Sequence, residues 1–110
     1  MLMLPETRVY LAVQPTDMRR SFDGLARLVK ESMNKDVFNG ELFVFMGRRS
    51  DRVKILYWDR NGFCLWAKRL EKGVFHRPRI QGVVAKMSSH ELMLLLEGIE
   101  LTHPQRLKSL

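Results

Sequence analysis

The sequence predicts an α+β fold: a small, mainly antiparallel β-sheet with one helix after the first strand and a C-terminal helix. Short β-prone segments occur along the chain, two of them joined by a tight turn, and two other stretches show helical spacing of apolar residues. With 110 residues, 45% of them hydrophobic, the chain has the size of a single domain, residues 1–110, with a modest core.

The first predicted strand covers residues 8–13 and ends at the Gln14-Pro15 dipeptide, because proline cannot continue a paired strand. A helix is predicted near residues 17–33, with Thr16 or Asp17 as its cap. Apolar residues at a spacing of three or four form its predicted buried stripe: Met18, Phe22, Leu25, Val29 and Met33. A mainly basic edge lies beside that stripe: Arg19, Arg20, Asp23, Arg27 and Lys30.

Three further strands are predicted in the middle of the chain. Residues 42–46 form an apolar run between glycines, which is typical of a strand buried on both faces. Residues 52–59 alternate, so that Val53, Ile55 and Tyr57 share one face while Arg52, Lys54, Leu56 and Trp58 share the other. The turn-prone residues 59–62 return the chain as a strand at 63–68, which predicts a hairpin.

The last third of the chain is predicted to be less regular. Residues 70–82 contain Gly73, Pro78 and Gly82 and few apolar residues, which indicates an irregular, flexible basic arm whose mobility the sequence leaves open. A short strand near 83–87 follows. Ser88 and Glu91 have the spacing of a capping box, which predicts a helix near 89–98, and residues 104–110 are expected to form a loose tail.

The surplus positive charge is confined to one stretch. The net charge is +7, and residues 1–47 and 80–110 each carry equal numbers of basic and acidic side chains. The surplus therefore lies between residues 48 and 79, which suggests a polyanionic partner; the alternative is a solvated basic face. Ten basic residues occur there: Arg48, Arg49, Arg52, Lys54, Arg60, Lys68, Arg69, Lys72, Arg77 and Arg79.

Aromatic residues are interleaved with these cations. A hairpin face carrying Arg52, Lys54 and Trp58, with Lys68 projecting beside Cys64 and Trp66 from the returning strand, is expected to bind phosphates and stack on a base. The alternative is that these rings form core. We favour core for the tryptophans and phosphate contact for the cations.

No catalytic residue, metal ligand or cofactor is predicted. Asp17 and Asp59 are explained by capping and by the turn, and Asp23 and Asp51 lie among arginines. The three histidines and the one cysteine, Cys64, show no metal-ligand spacing. The first residues resemble no secretory leader and the apolar runs are short, so we expect a cytoplasmic protein that does not span a membrane.

Three strings resemble a known family. Residues 15–25 (PTDMRRSFDGL), 52–73 (RVKILYWDRNGFCLWAKRLEKG) and 96–99 (LEGI) are similar to the Orf-two-like, or TnpB, accessory proteins of the bacterial insertion-sequence sixty-six family. The resemblance covers nearly the whole chain. It implies a role in mobilising a DNA element together with separately encoded proteins, one of them the transposase.

Two functions are therefore expected. The first is a non-catalytic accessory factor that binds transposon-end DNA through the basic stretch; the second is a module that docks onto the transposase or another accessory protein without touching DNA. The sequence leaves the oligomeric state open. The residues expected to contact DNA are Arg48, Arg49, Arg52, Lys54, Arg60, Lys68, Arg69, Lys72, Arg77, Arg79, Arg19 and Arg20.

Overall fold

A computed structural model of the protein describes residues 7–101 and 108–109. It confirms the α+β fold, with a mainly antiparallel sheet, one helix after the first strand and one towards the C-terminus. The elements are β1 (Val9–Ala12), α1 (Phe22–Glu31), β2 (Leu42–Met46), β3 (Arg52–Asp59), β4 (Gly62–Arg69), β5 (Val84–Met87), α2 (Ser89–Leu96) and β6 (Lys108–Ser109).

The strands form one sheet in the order β4-β3-β2-β1-β5-β6. All neighbours are antiparallel except β1 and β2, which are parallel and paired from Val9 with Leu42 to Leu11 with Val44. Parallel neighbours need a long crossover, and α1 lies in the segment that supplies it. Of the predicted tail at 104–110, only β6 falls within the described residues, and it pairs with β5.

The start of α1 was predicted wrongly. The Asp17 carboxylate does not cap a helix; it accepts the backbone N–H of Arg19 at 2.9 Å in a turn, while the Arg20 N–H donates to the Asp17 carbonyl at 3.1 Å. The helix begins only at Phe22, after Ser21, whose side chain makes no capping bond. Phe22, predicted to be buried, is 43% exposed.

One face of the sheet packs against α1. Leu25, Val29 and Met33 provide the buried stripe of the helix and its C-terminal extension, as the spacing predicted. They contact alternate residues of the strands, including Phe43, Phe45 and Leu56. Because β2 contributes to both clusters, all five of its residues are buried, which confirms the prediction for that strand.

The other face of the sheet packs against α2 and part of the predicted arm. Leu92 and Leu95 of α2 are fully buried there against strand residues such as Val44 and Ile55. Phe75 joins the same cluster and is only 1% exposed. The segment 70–80 has no regular secondary structure, but Phe75 makes it part of the core.

Arg77 attaches this segment to the sheet. Its guanidinium donates to the carbonyl of Val13, just after β1, at 3.3 Å and to the carbonyl of Gly47, just after β2, at 2.6 Å. Burial lowers the pKa of Arg77, yet a guanidinium still carries its charge at neutral pH. The side chain thus joins the ends of the two parallel strands.

Replacing Arg77 with methionine keeps most of the aliphatic stem and removes both donated hydrogen bonds. We expect the free energy of unfolding to fall by about 2 kcal/mol and Tm by roughly 10 °C. Thermal denaturation followed by circular dichroism measures the change. The matched control is Arg79→Met, an exposed arginine of the same segment, which should alter stability by less than about 0.5 kcal/mol. Equal losses in the two variants would contradict this role of Arg77.

The capping box of α2 gives a second test. The Ser88 hydroxyl accepts the Glu91 N–H at 3.0 Å, and the Glu91 carboxylate accepts the Ser88 N–H at 2.9 Å. Ser88→Ala should therefore destabilise the protein by about 1 kcal/mol, whereas Ser88→Thr, which retains a hydroxyl, should lose much less. Chemical denaturation of both variants provides the measurement. The interpretation fails if threonine and alanine are equally destabilising.

Candidate nucleic-acid interface

Six exposed arginines lie together at one end of the sheet. β1, β2 and β4 end there and β3 begins there, because β3 runs antiparallel to both of its neighbours and β1 runs parallel to β2. The loop after β1 reaches the same end, since the Thr16 N–H donates to the Met46 carbonyl at 2.8 Å. We call this surface the basic end; its residues are Arg19, Arg20, Arg48, Arg49, Arg52 and Arg69.

The turn between β2 and β3 projects two arginines. The Ser50 N–H donates to the Gly47 carbonyl at 3.0 Å, and Ser50 has a φ of 60°, which closes the connection tightly. Arg48 and Arg49 occupy the middle of the turn and both are exposed. Backbone geometry therefore holds two neighbouring guanidinium groups in solvent.

Two more arginines face each other beside this turn. Arg52 and Arg69 are direct cross-strand partners of β3 and β4, so they project from the same face at close range. Arg69 lies 3.3 Å from the Glu71 carboxylate, but both side chains are exposed and this pair is weak. Like charges opposite one another destabilise a sheet, so a bound anion would relieve a repulsion that the fold creates.

A shallow cleft adjoins these cations. It has a volume of about 400 Å³ and lies between the loop after β1 and the β2–β3 turn. Gly47 permits the close approach of the two loops, since a Cβ at that position would lie 2.7 Å from the Cγ of Met18. The lining combines two acids and three arginines with small and apolar residues: Pro15, Thr16, Asp17, Met18, Gly47, Arg48, Arg49, Asp51 and Arg52.

Arg19 differs from the other cations of the basic end. Its guanidinium makes a bidentate contact with Asp17, with Nε 3.0 Å from Oδ1 and Nη2 2.8 Å from Oδ2. Hydrogen bonds from the Arg19 side chain and backbone hold the pKa of Asp17 well below its usual range. Asp17 stays ionised at neutral pH, so the pair contributes little net charge to the surface.

Three predicted contact residues are engaged within the fold. Lys54 donates to the Arg20 carbonyl at 2.8 Å, and Lys68 donates to the Leu96 carbonyl at the end of α2 at 3.0 Å. Arg77 bridges β1 and β2, as described above. Each of these side chains hydrogen-bonds to the backbone of another part of the fold, so it would have to break that bond to reach a ligand.

The remaining predicted residues are dispersed. Arg60 lies in the β3–β4 turn, at the opposite end of the hairpin from Arg52. The length of β3 puts the two residues about 25 Å apart. The Arg60 guanidinium is 3.7 Å from the Asp59 carboxylate. Arg60 has a positive φ of 51° in this turn. Lys72 and Arg79 are exposed in the irregular segment.

The expected aromatic and basic hairpin face does not form. The turn pairs Asp59 with Gly62, and this register places Lys68 opposite Val53 and Trp66 opposite Ile55. Antiparallel partners share a face, so Cys64, Trp66 and Lys68 project to the α2 side, while Arg52, Lys54 and Trp58 project to the α1 side. The alternation within each strand was visible in the sequence, but the register between β3 and β4, which decides which residues share a face, was not.

The tryptophans are separated from the basic end. Trp58 forms an edge-to-face cluster with Phe38 and Phe63, with ring centroids 5.2 and 5.0 Å away, near the opposite end of the sheet. It lies six residues along β3 from Arg52, about 20 Å away. Trp66 packs partly buried against the α2-side core. The geometry therefore places Trp58 too far from the basic end to contact the same group as Arg52.

The acidic residues do not converge. Asp17 lies at the basic end and Asp59 at the opposite end, and in residues 7–101 the His, Cys, Asp and Glu side chains form no group of three that could hold a metal ion. Within the same part of the chain, neither helix has the length and apolarity needed to cross a membrane.

Comparison with known proteins gives the biological context. Residues 7–106 match the model of the IS66 Orf2 like protein family. Two uncharacterized proteins of Sinorhizobium fredii are similar: y4hO, 41% identical over 94% of this chain and 92% of its own, and y4jC, 38% identical over 90% and 85%. No solved structure matches. Because the family model spans nearly all of the sheet and both helices, the chain belongs to the IS66 Orf2-like family of insertion-sequence accessory proteins.

Proposed function

We propose that this accessory protein assists transposition by binding the phosphate backbone of DNA at the transposon ends through its basic end, without itself catalysing a reaction. One observation carries the proposal. Arg48, Arg49 and Arg52 are exposed around a single cleft, and none has a carboxylate within 4.0 Å among residues 7–101. Guanidinium groups bind phosphate oxygens in a bidentate manner, which suits this arrangement.

The position of the arginines favours contact with the backbone over base reading. Arg48 and Arg49 lie on a turn and Arg52 is the first residue of β3, so none of the three lies on a helix that could enter the major groove. Contacts to phosphates fix a protein on nucleic acid without reading its sequence. We therefore expect recognition of the shape or charge of transposon-end DNA, in the cytoplasm where a bacterial element resides.

A second candidate function is docking onto the transposase or another protein of the element. The aromatic cluster supports it, because Phe38 is 59% exposed and rests on Trp58 and Phe63. A groove of about 480 Å³ lies beside this cluster. Exposed large apolar groups commonly mark protein contacts. The cluster and the basic end lie at opposite ends of the sheet, so the two functions are separable by mutation.

Binding to duplex transposon-end DNA should weaken with salt. If about five phosphates are neutralised, the logarithm of the association constant should fall with the logarithm of salt concentration with a slope of roughly −4 to −5. The candidate cations are Arg20, Arg48, Arg49, Arg52 and Arg69. Fluorescence anisotropy of labelled DNA across a salt series measures the slope, and a slope near zero would exclude phosphate binding.

The double substitution of Arg48 and Arg49 by alanine tests the site itself. It should remove two phosphate contacts and make the salt slope shallower by about 2. The matched control is Arg60→Ala, which removes an exposed arginine from the opposite end of the hairpin. If Arg60→Ala changes the slope by half as much as the double substitution, the effect per charge removed is the same, and net charge rather than the basic end determines binding.

The docking function predicts a different pattern. Phe38→Ser should abolish retention of the purified transposase by the tagged protein after nuclease treatment, while leaving the DNA affinity unchanged. The reverse-charge variant with Arg48, Arg49 and Arg52 replaced by glutamate should lose DNA binding and retain the transposase. Loss of transposase retention in the arginine variant alone would instead assign docking to the basic end.

A further inference from the structure

The outer edge of β4 is open along eight residues, whereas on the other side of the sheet the two-residue strand β6 is the last strand. β5 is paired with both β1 and β6, whereas in the described part of the chain β4 is paired with β3 alone. An open strand edge presents a row of unpaired N–H and C=O groups. We propose that β4 pairs with β4 of a second copy of the protein, so that two sheets join into one continuous sheet.

β4 lacks the features that usually protect an edge strand. Its pairing with β3 runs without a bulge through eight residues, from Arg69 with Arg52 to Gly62 with Asp59, and it contains no proline. Charges occur only at its last two residues. The four consecutive apolar residues from Phe63 to Trp66 are all half-buried, so they retain surface that a neighbouring strand would cover.

Charge determines the direction of pairing. In a parallel arrangement, Lys68 and Arg69 would lie beside the same residues of the second copy, and like charges side by side destabilise a sheet. In an antiparallel arrangement they lie towards Gly62 of the other copy, at the uncharged start of the strand. A two-fold axis perpendicular to the sheet generates this arrangement from identical chains, which is the commonest symmetry of protein dimers.

Side-chain size favours one register. With Leu65 opposite Leu65 of the second copy, Phe63 faces Ala67 on the α1 side and Cys64 faces Trp66 on the α2 side, so each large group meets a smaller one. A shift of two residues would instead place two Trp66 rings opposite each other and Arg69 beside Phe63. The first register keeps Lys68 beside Gly62, which has no side chain to disturb the hydrogen bond from Lys68 to the Leu96 carbonyl.

This proposal does not depend on nucleic-acid binding, and salt distinguishes the two. Copies carrying a net charge of +7 repel each other, so screening should strengthen self-association, whereas salt weakens phosphate binding. Analytical ultracentrifugation at about 1 to 100 µM, without nucleic acid, should show a shift from 13.0 kDa towards twice that mass, with tighter association at higher salt. A single 13.0 kDa species throughout would overturn the proposal.

Charge substitutions at the symmetry axis test the register. Leu65→Lys and Leu65→Glu should each be monomeric, because like charges face each other across the axis, and an equimolar mixture should regain the dimer mass. The control is Met93→Lys, which adds the same charge at an exposed position of α2 and should leave the dimer intact. Circular dichroism confirms that each variant is folded. A persistent dimer in both Leu65 variants would contradict the interface.

The wild-type chain provides a test without any substitution in the interface. Cys64 is the only cysteine, and in this register the two Cys64 residues are diagonal neighbours about 7 to 8 Å apart. A short bis-maleimide should therefore join two chains, while direct oxidation should not, because a disulfide requires closer Cα atoms. Rapid disulfide formation would exclude the register. Pairing of β4 with a transposase strand by a protein that is monomeric alone would exclude self-pairing.

Discussion

The bridge from Arg77 to the ends of β1 and β2 is the contact on which the basic end depends. Parallel strands end at the same edge of a sheet, and here the Val13 and Gly47 carbonyls come within reach of one guanidinium. The bridge holds the irregular segment against the β2–β3 turn, where the Leu70 N–H donates to the Asp51 carbonyl and the Phe75 N–H to the Ser50 carbonyl. These hydrogen bonds fix the position of the turn that carries the exposed Arg48 and Arg49.

Tertiary structure divides cations that look alike in the sequence. Arg77, Lys68 and Lys54 each donate to a backbone carbonyl in another part of the fold, so these three cations stabilise the folded structure. Arg48 and Arg49 have no such partner within the described chain and remain available to an anion. Mutation of the first group should alter stability before it alters binding, which is why stability must be measured alongside affinity.

The sequence was most informative where local chemistry decides the structure. The apolar run of β2, the alternation of β3 and the capping box of α2 each specify an element through neighbouring residues, and these were predicted correctly. The start of α1 was missed because Arg19 competes for the Asp17 carboxylate. Phe75 was missed because a single buried ring in an irregular segment has no periodicity to reveal it.

The candidate site was only partly predictable because it is formed by residues that are distant in the sequence. Charge counting located the basic stretch, but the grouping of Arg48, Arg49 and Arg52 with Arg20 depends on the strand order and on the close contact between Met18 and Gly47. The same strand order leaves β4 at the edge, beside Arg52 and Arg69. Phosphates bound at the basic end would lower the net charge of each copy, so nucleic-acid binding and self-pairing, if both occur, must favour each other.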